Sequence, residues 1–125
     1  MGIEDLPVLS KRFFGQEELV VDKKIRVTIP NRYVRVLRRR NPGRGHVLYF
    51  ELSGSKPPRI NVYDGLYMAP RWKRQDHGAI EARNYDSQGR IAVPDIIARR
   101  IDLGRGIVLR ASKTGEYFYI QKRAR

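Results

Sequence analysis

The chain has no cysteine and only two histidines, His46 and His77. The first absence excludes disulfides and every thiolate metal centre. The histidines are isolated in the sequence, so no metal site is expected. No run of about 18 apolar residues exists, which excludes a membrane-spanning helix. Residues 1–10 carry Glu4 and Asp5 and lack a basic-then-apolar leader pattern. The Gly-x-Ser-x-Gly nucleophile elbow and the Gly-x-x-x-x-Gly-Lys phosphate loop are both missing. Gly43-Arg44-Gly45 and Gly104-Arg105-Gly106 are too short to cradle a nucleotide. The expectation is a non-enzyme with no catalytic residue, no cofactor and no small-molecule substrate, located in the cytoplasm.

Acidic residues are also scarce. Thirteen Asp and Glu face 26 Lys and Arg, leaving a formal net charge of +13. So lopsided a balance points to a polyanionic partner. An anionic membrane is the weaker option, because no long helix combines a basic face with a broad apolar one. At 125 residues, 41% of them hydrophobic, the chain suits a single domain with one core. The expected layout is a flexible N-terminal arm over 1–12, one domain over 13–121 and a basic tail over 122–125.

What the sequence does contain is an internal repeat. Val21-Asp22-Lys23-Lys24-Ile25-Arg26-Val27-Thr28-Ile29-Pro30-Asn31 is answered by Tyr85-Asp86-Ser87-Gln88-Gly89-Arg90-Ile91-Ala92-Val93-Pro94-Asp95. Both copies read Asp-x-x-x-Arg, an apolar-x-apolar triplet, Pro and a residue suited to helix capping. Downstream, Gly43-Arg44-Gly45 before Val47-Leu48 is answered by Gly104-Arg105-Gly106 before Val108-Leu109. The first copy covers about 17–64 and the second about 79–121.

Each copy predicts strand, turn, strand, helix and a final hairpin. Residues 18–22 form the first strand and 26–29 its return, around a polar turn at 22–25. Asp86-Ser87-Gln88-Gly89 is the stronger turn, because Gly89 tolerates positive φ. Pro30 and Pro94 end their strands, and Asn31 and Asp95 take the N-cap position. Tyr33, Val34 and Leu37 share a helix face, as do Ile97 and Ile101, with Ile96 flanking. Hairpins follow at 47–52 with 59–63 and at 107–111 with 117–121. The link 64–78 is read as a loop or a single helical turn. Neither copy can hide its apolar face alone. The fold class expected is therefore mainly β with short helices (α+β): two β-β-α-β-β repeats joined about a pseudo-two-fold into a split β-barrel.

The paired patterns Asp22-x-x-x-Arg26 and Asp86-x-x-x-Arg90, leading to Ile29-Pro30 and Val93-Pro94, resemble the MraZ family of the AbrB-like swapped-hairpin superfamily. Phe14-Gly15 and the strand pair after Gly104 are similar to that family as well. The resemblance covers roughly 13–121. It implies a DNA-binding transcription regulator that forms homo-oligomers. It also implies DNA contact by Arg26 and Arg90, and Lys24 matches a lysine of the family's first motif. Ile25 stands where the family carries Gly, so the first turn is expected to take a different shape.

On this reading Lys23, Lys24, Arg26 and Arg90 face the major groove of duplex DNA. Arginine pairs bidentately with guanine O6 and N7 there. Arg32, Arg35, Arg38, Arg39 and Arg40 are expected to contact phosphates, which supply affinity without sequence choice. Asp22, Asp86 and Gly89 organise the turns. Tyr33, Tyr49, Tyr63, Tyr117, Phe118 and Tyr119 are assigned to packing, with stacking on single-stranded bases as the other role. Competing functions are an AbrB-like antitoxin or other protein-binding module, and a non-specific DNA- or RNA-binding protein.

Overall fold

In a computed structural model, residues 11–43, 45–71, 80–101, 103 and 106–122 are described. Residues 1–10 of the expected arm, 123–125 of the expected tail and 72–78 of the expected link lie outside them, as does residue 79.

Along the chain run β1 (Gln16–Leu19), β2 (Arg26–Thr28), α1 (Asn31–Arg40), β3 (Val47–Ser53) and β4 (Arg59–Asp64). Then follow α2 (Gly65–Met68), β5 (Ile80–Asn84), β6 (Arg90–Ala92), α3 (Asp95–Arg100), β7 (Ile107–Ala111) and β8 (Phe118–Lys122). The protein is thus mainly β with three short helices. Six strands make one antiparallel sheet in the order β1-β7-β8-β4-β3-β5, and β2 pairs with β6 in a separate two-stranded ribbon.

Strand alternation sets the core. Leu48, Phe50, Ile60, Val62, Leu109, Phe118 and Ile120 are fully buried and occupy every second position of their strands. The ribbon and helices close over this face. Val27, Ile29, Tyr33 and Leu37 from the first copy join Ile91, Val93, Ile97 and Ile101 from the second in one cluster. These are corresponding positions, so each copy contributes the same set of inward side chains. The aromatic centre is Phe13, Tyr33 and Phe118, with Tyr33 edge-on to Phe118 at 5.2 Å between centroids.

Three expectations are corrected. The sheet does not close into a barrel: β1 and β5 are its two edges and do not pair with each other. The strands that would have to bridge those edges, β2 and β6, are three residues each and use their ladder bonds on one another. The first strand is Gln16–Leu19 rather than 18–22. The β-branched pair Val20-Val21 suggested a strand, but Val20 is 84% exposed and the Asp22 N–H already donates into the turn. Pro30 and Pro94, not Asn31 and Asp95, occupy the N-cap positions, and neither helix has a side-chain cap. The Pro30 carbonyl accepts from Tyr33 and Val34, and the Pro94 carbonyl from Ile97 and Ala98. A proline whose φ is already near the helical value fills this place without needing its own N–H. The link begins as a helical turn, α2, capped by the Asp64 side chain through the Tyr67 N–H at 2.9 Å.

Candidate nucleic-acid interface

The two Asp-x-x-x-Arg segments fold into the same turn. In the first, the Asp22 N–H donates to the Arg26 carbonyl (3.0 Å) and the Asp22 carbonyl accepts from Ile25 (3.0 Å). Asp22 Oδ1 accepts the N–H groups of Lys24 (2.8 Å) and Arg26 (2.9 Å), while Oδ2 accepts Arg26 Nε at 2.8 Å. In the second, Asp86 bonds the Arg90 N–H and carbonyl, Gly89 and Gln88 in the same pattern, and its Oδ2 accepts Arg90 Nε at 2.8 Å. Only a short carboxylate can reach two backbone N–H groups and a guanidinium four residues on. The backbone N–H of Arg26, and then its guanidinium, hold the Asp22 carboxyl below its usual range. Arg90 does the same to Asp86.

Ile25 does not reshape its turn. It adopts φ 56°, the left-handed conformation that Gly89 takes at φ 81°. For a β-branched residue this costs about 1–2 kcal/mol. Two contacts offset it: Ile25 packs partly buried against the core, and its carbonyl accepts the Val93 N–H at 3.0 Å. The Gly89 carbonyl accepts the Ile29 N–H at 2.8 Å. Each turn is therefore tied to the strand end of the other copy. A Cβ on Gly89 would come within 3.0 Å of the Ile29 carbonyl oxygen, so a larger residue there must push that carbonyl back by a few tenths of an ångström.

The ribbon register places Val27 opposite Ile91, its counterpart in the other copy, with both buried. The outward face carries Arg26 opposite Ala92 and Thr28 opposite Arg90. Two arginines thus stand diagonally on a narrow two-stranded surface, each beside a small residue. Each guanidinium is oriented through Nε by its own aspartate. Among the described residues its Nη groups make no hydrogen bond. Lys23 and Lys24 are exposed at the tip of the first turn.

The helix arginines divide. Arg35, Arg38 and Arg39 are exposed on α1. Arg32 is a clamp: Nε donates to Glu17 Oε2 at 2.7 Å, and Nη1 and Nη2 donate to the carbonyls of Phe14 and Gln16. It fixes the start of β1 against α1. Arg40 was expected to contact phosphate, but the fold turns it inward. It is 9% exposed, and its Nε donates to the buried Asp64 Oδ2 at 2.6 Å. Its Nη atoms donate to Asp64 Oδ1 and to the carbonyls of Lys11 and Glu116. Asn41 completes the cluster by donating to Asp64 Oδ2 at 2.9 Å. The signal was in the spacing: Arg40 follows Tyr33 and Leu37 along one helix face, which the Arg38-Arg39-Arg40 run disguised.

Of the six aromatic residues assigned to packing, four fall into two groups, while Tyr119 lies under the Arg59 guanidinium at 4.2 Å. Tyr33 and Phe118 lie in the core, and burial raises the Tyr33 hydroxyl to about 12. Tyr63 stacks on Tyr67 at 4.8 Å with Tyr117 beside both, and burial followed by its hydrogen bond to Glu51 raises the Tyr63 hydroxyl.

Among the described residues no three His, Asp or Glu side chains gather as a metal site would require. No described helix is long and apolar enough to cross a membrane. No protein-family model matches the chain, and no curated protein matches its sequence.

Proposed function

We propose that this protein is a duplex-DNA-binding transcription regulator, similar in kind to MraZ, that lays the β2–β6 ribbon into the major groove. The observation that carries the reading is the outward face of the ribbon, where Arg26 and Arg90 stand with oriented guanidinium groups whose Nη donors point to no described partner. A two-stranded ribbon fits the major groove, and an arginine held at Nε keeps both Nη groups for guanine O6 and N7. Lys23 and Lys24, with Arg35, Arg38 and Arg39, supply phosphate contacts on a chain of net charge +13.

The fold is read as a swapped hairpin. The first strand of each copy pairs with the other copy's region: β1 with β7, and β5 with β3. The ribbon itself takes one strand from each copy. The sheet ends at β1 and β5, and these two edges are where copies of the chain would meet in a homo-oligomer. The protein acts without catalysis and associates with the nucleoid.

The test is selection from a randomised duplex pool at two salt concentrations. A short box that survives the higher salt supports the reading. Affinity that collapses with salt and selects nothing would leave a non-specific polyanion binder. Arg26→Ala and Arg90→Ala should each weaken binding to the selected box by about 1–3 kcal/mol. Their denaturation midpoints should hardly move, because each aspartate keeps its two backbone N–H bonds.

A further inference from the structure

The two turns share one backbone but differ at their tips. Lys23 and Lys24 are exposed in the first, and Ser87 and Gln88 are exposed at the same places in the second. The ribbon is antiparallel, with Arg26 opposite Ala92 and Thr28 opposite Arg90, so the two tips sit at opposite ends of it. One end therefore carries two flexible cations and the other two neutral side chains. The middle is uneven as well, with alanine beside Arg26 and threonine beside Arg90.

We infer that the ribbon reads its DNA with a fixed polarity, the Lys23–Lys24 turn gripping phosphates at one end and Gln88 reading a base edge at the other. This rests on the DNA-binding reading above and extends it. Lysine is a strongly hydrated point charge suited to phosphate. The glutamine amide offers one acceptor and a donor pair, which match adenine N6 and N7. The Thr28 methyl group adds an apolar contact suited to thymine on the Arg90 side. Diagonal ribbon positions stand roughly 7–8 Å apart, about two base-pair steps of ~3.4 Å along the duplex axis. The arginines therefore contact nearby base pairs, and the flanks are read differently. A truly symmetric ribbon would read a palindrome; this one reads a box with two unlike halves.

The chain has no cysteine, so a single Val20→Cys gives a unique attachment point for an iron chelate. Val20 is 84% exposed and lies two residues before the lysine turn. On a duplex trimmed to one copy of the box recovered from the random pool, strand cleavage is expected on one flank only. Lys23→Ala with Lys24→Ala should lower the slope of log affinity against log salt by roughly 2 and leave the selected sequence unchanged. Gln88→Ala should leave that slope alone and lose roughly 5- to 150-fold of base discrimination, on the uncleaved flank. Equal cleavage of both flanks, or a perfectly palindromic selected box, would overturn the polarity while leaving DNA binding intact. Failure of the unaltered protein to bind any duplex at low salt would overturn the DNA-binding reading and the polarity together.

Discussion

The two Asp-x-x-x-Arg turns make the same hydrogen bonds, while the helices that follow them have diverged. The first turn keeps its shape with isoleucine at the left-handed position where the second has glycine. The helices differ in length, ten residues against six. They also differ in their last arginine: Arg40 is locked onto Asp64, and Arg100 is exposed. A turn closed by its own aspartate and by the other copy's backbone keeps its shape although all three residues between Asp and Arg differ between the copies. A helix end needs only a surface to pack on, and the two copies present different surfaces. In the first copy that surface includes Asp64, which also caps α2.

The largest way to break this comparison is at Arg40. Arg40→Met preserves volume and leaves the Asp64 carboxylate buried without its cation. It should destabilise the fold by about 3–5 kcal/mol in urea denaturation. A loss no larger than that of an exposed ion pair, about 1 kcal/mol or less, would mean that the cluster is not a structural centre. Next come the turn residues. Gly89→Ala should cost about 1–3 kcal/mol, because the left-handed backbone and the Ile29 carbonyl both oppose a Cβ. Ile25→Gly should change stability less, since relief of left-handed strain offsets the lost apolar contact. If Gly89→Ala proved neutral, the turns would not be locked as described.

Acid should loosen both turns together. Asp22 and Asp86 have carboxyl groups held below the unfolded value of about 3.9. Their stabilisation is present above that value and is lost as pH falls through the folded one. The amide resonances of Lys24, Arg26, Gln88 and Arg90 should move in concert there. Independent behaviour of the two sets would separate the turns energetically. At the other extreme, Tyr33 titrates at about 12, so its contribution is intact below about pH 10 and fades between the two values. The smallest effect belongs to the exposed Arg99–Asp95 pair on α3: Arg99→Ala should shift stability by at most about 0.5 kcal/mol.

The turn aspartates and arginines, the prolines and the apolar helix faces were legible in the sequence because they are local. The duplication repeats them in one order, and three-four spacing names Tyr33, Val34 and Leu37 directly. The start of β1 was misplaced because propensity favours Val20-Val21, whereas the ladder with β7 begins at Gln16. The role of Arg40 was hidden because a run of three arginines looks uniformly solvated. Nothing local marks Asp64, 24 residues downstream, as the partner.

By itself the sequence determined that two like units exist, that each carries an aspartate-closed turn ahead of an arginine, and that the chain is strongly basic. These follow from residue order and charge, which need no partner to be read. Only the tertiary structure decided that β2 pairs with β6, that Arg26 and Arg90 share one outward face, that Arg40 turns inward and that the sheet stays open. Each of these depends on which distant segments meet. Strand register and burial are settled by packing between the copies, and no property of either segment alone specifies them.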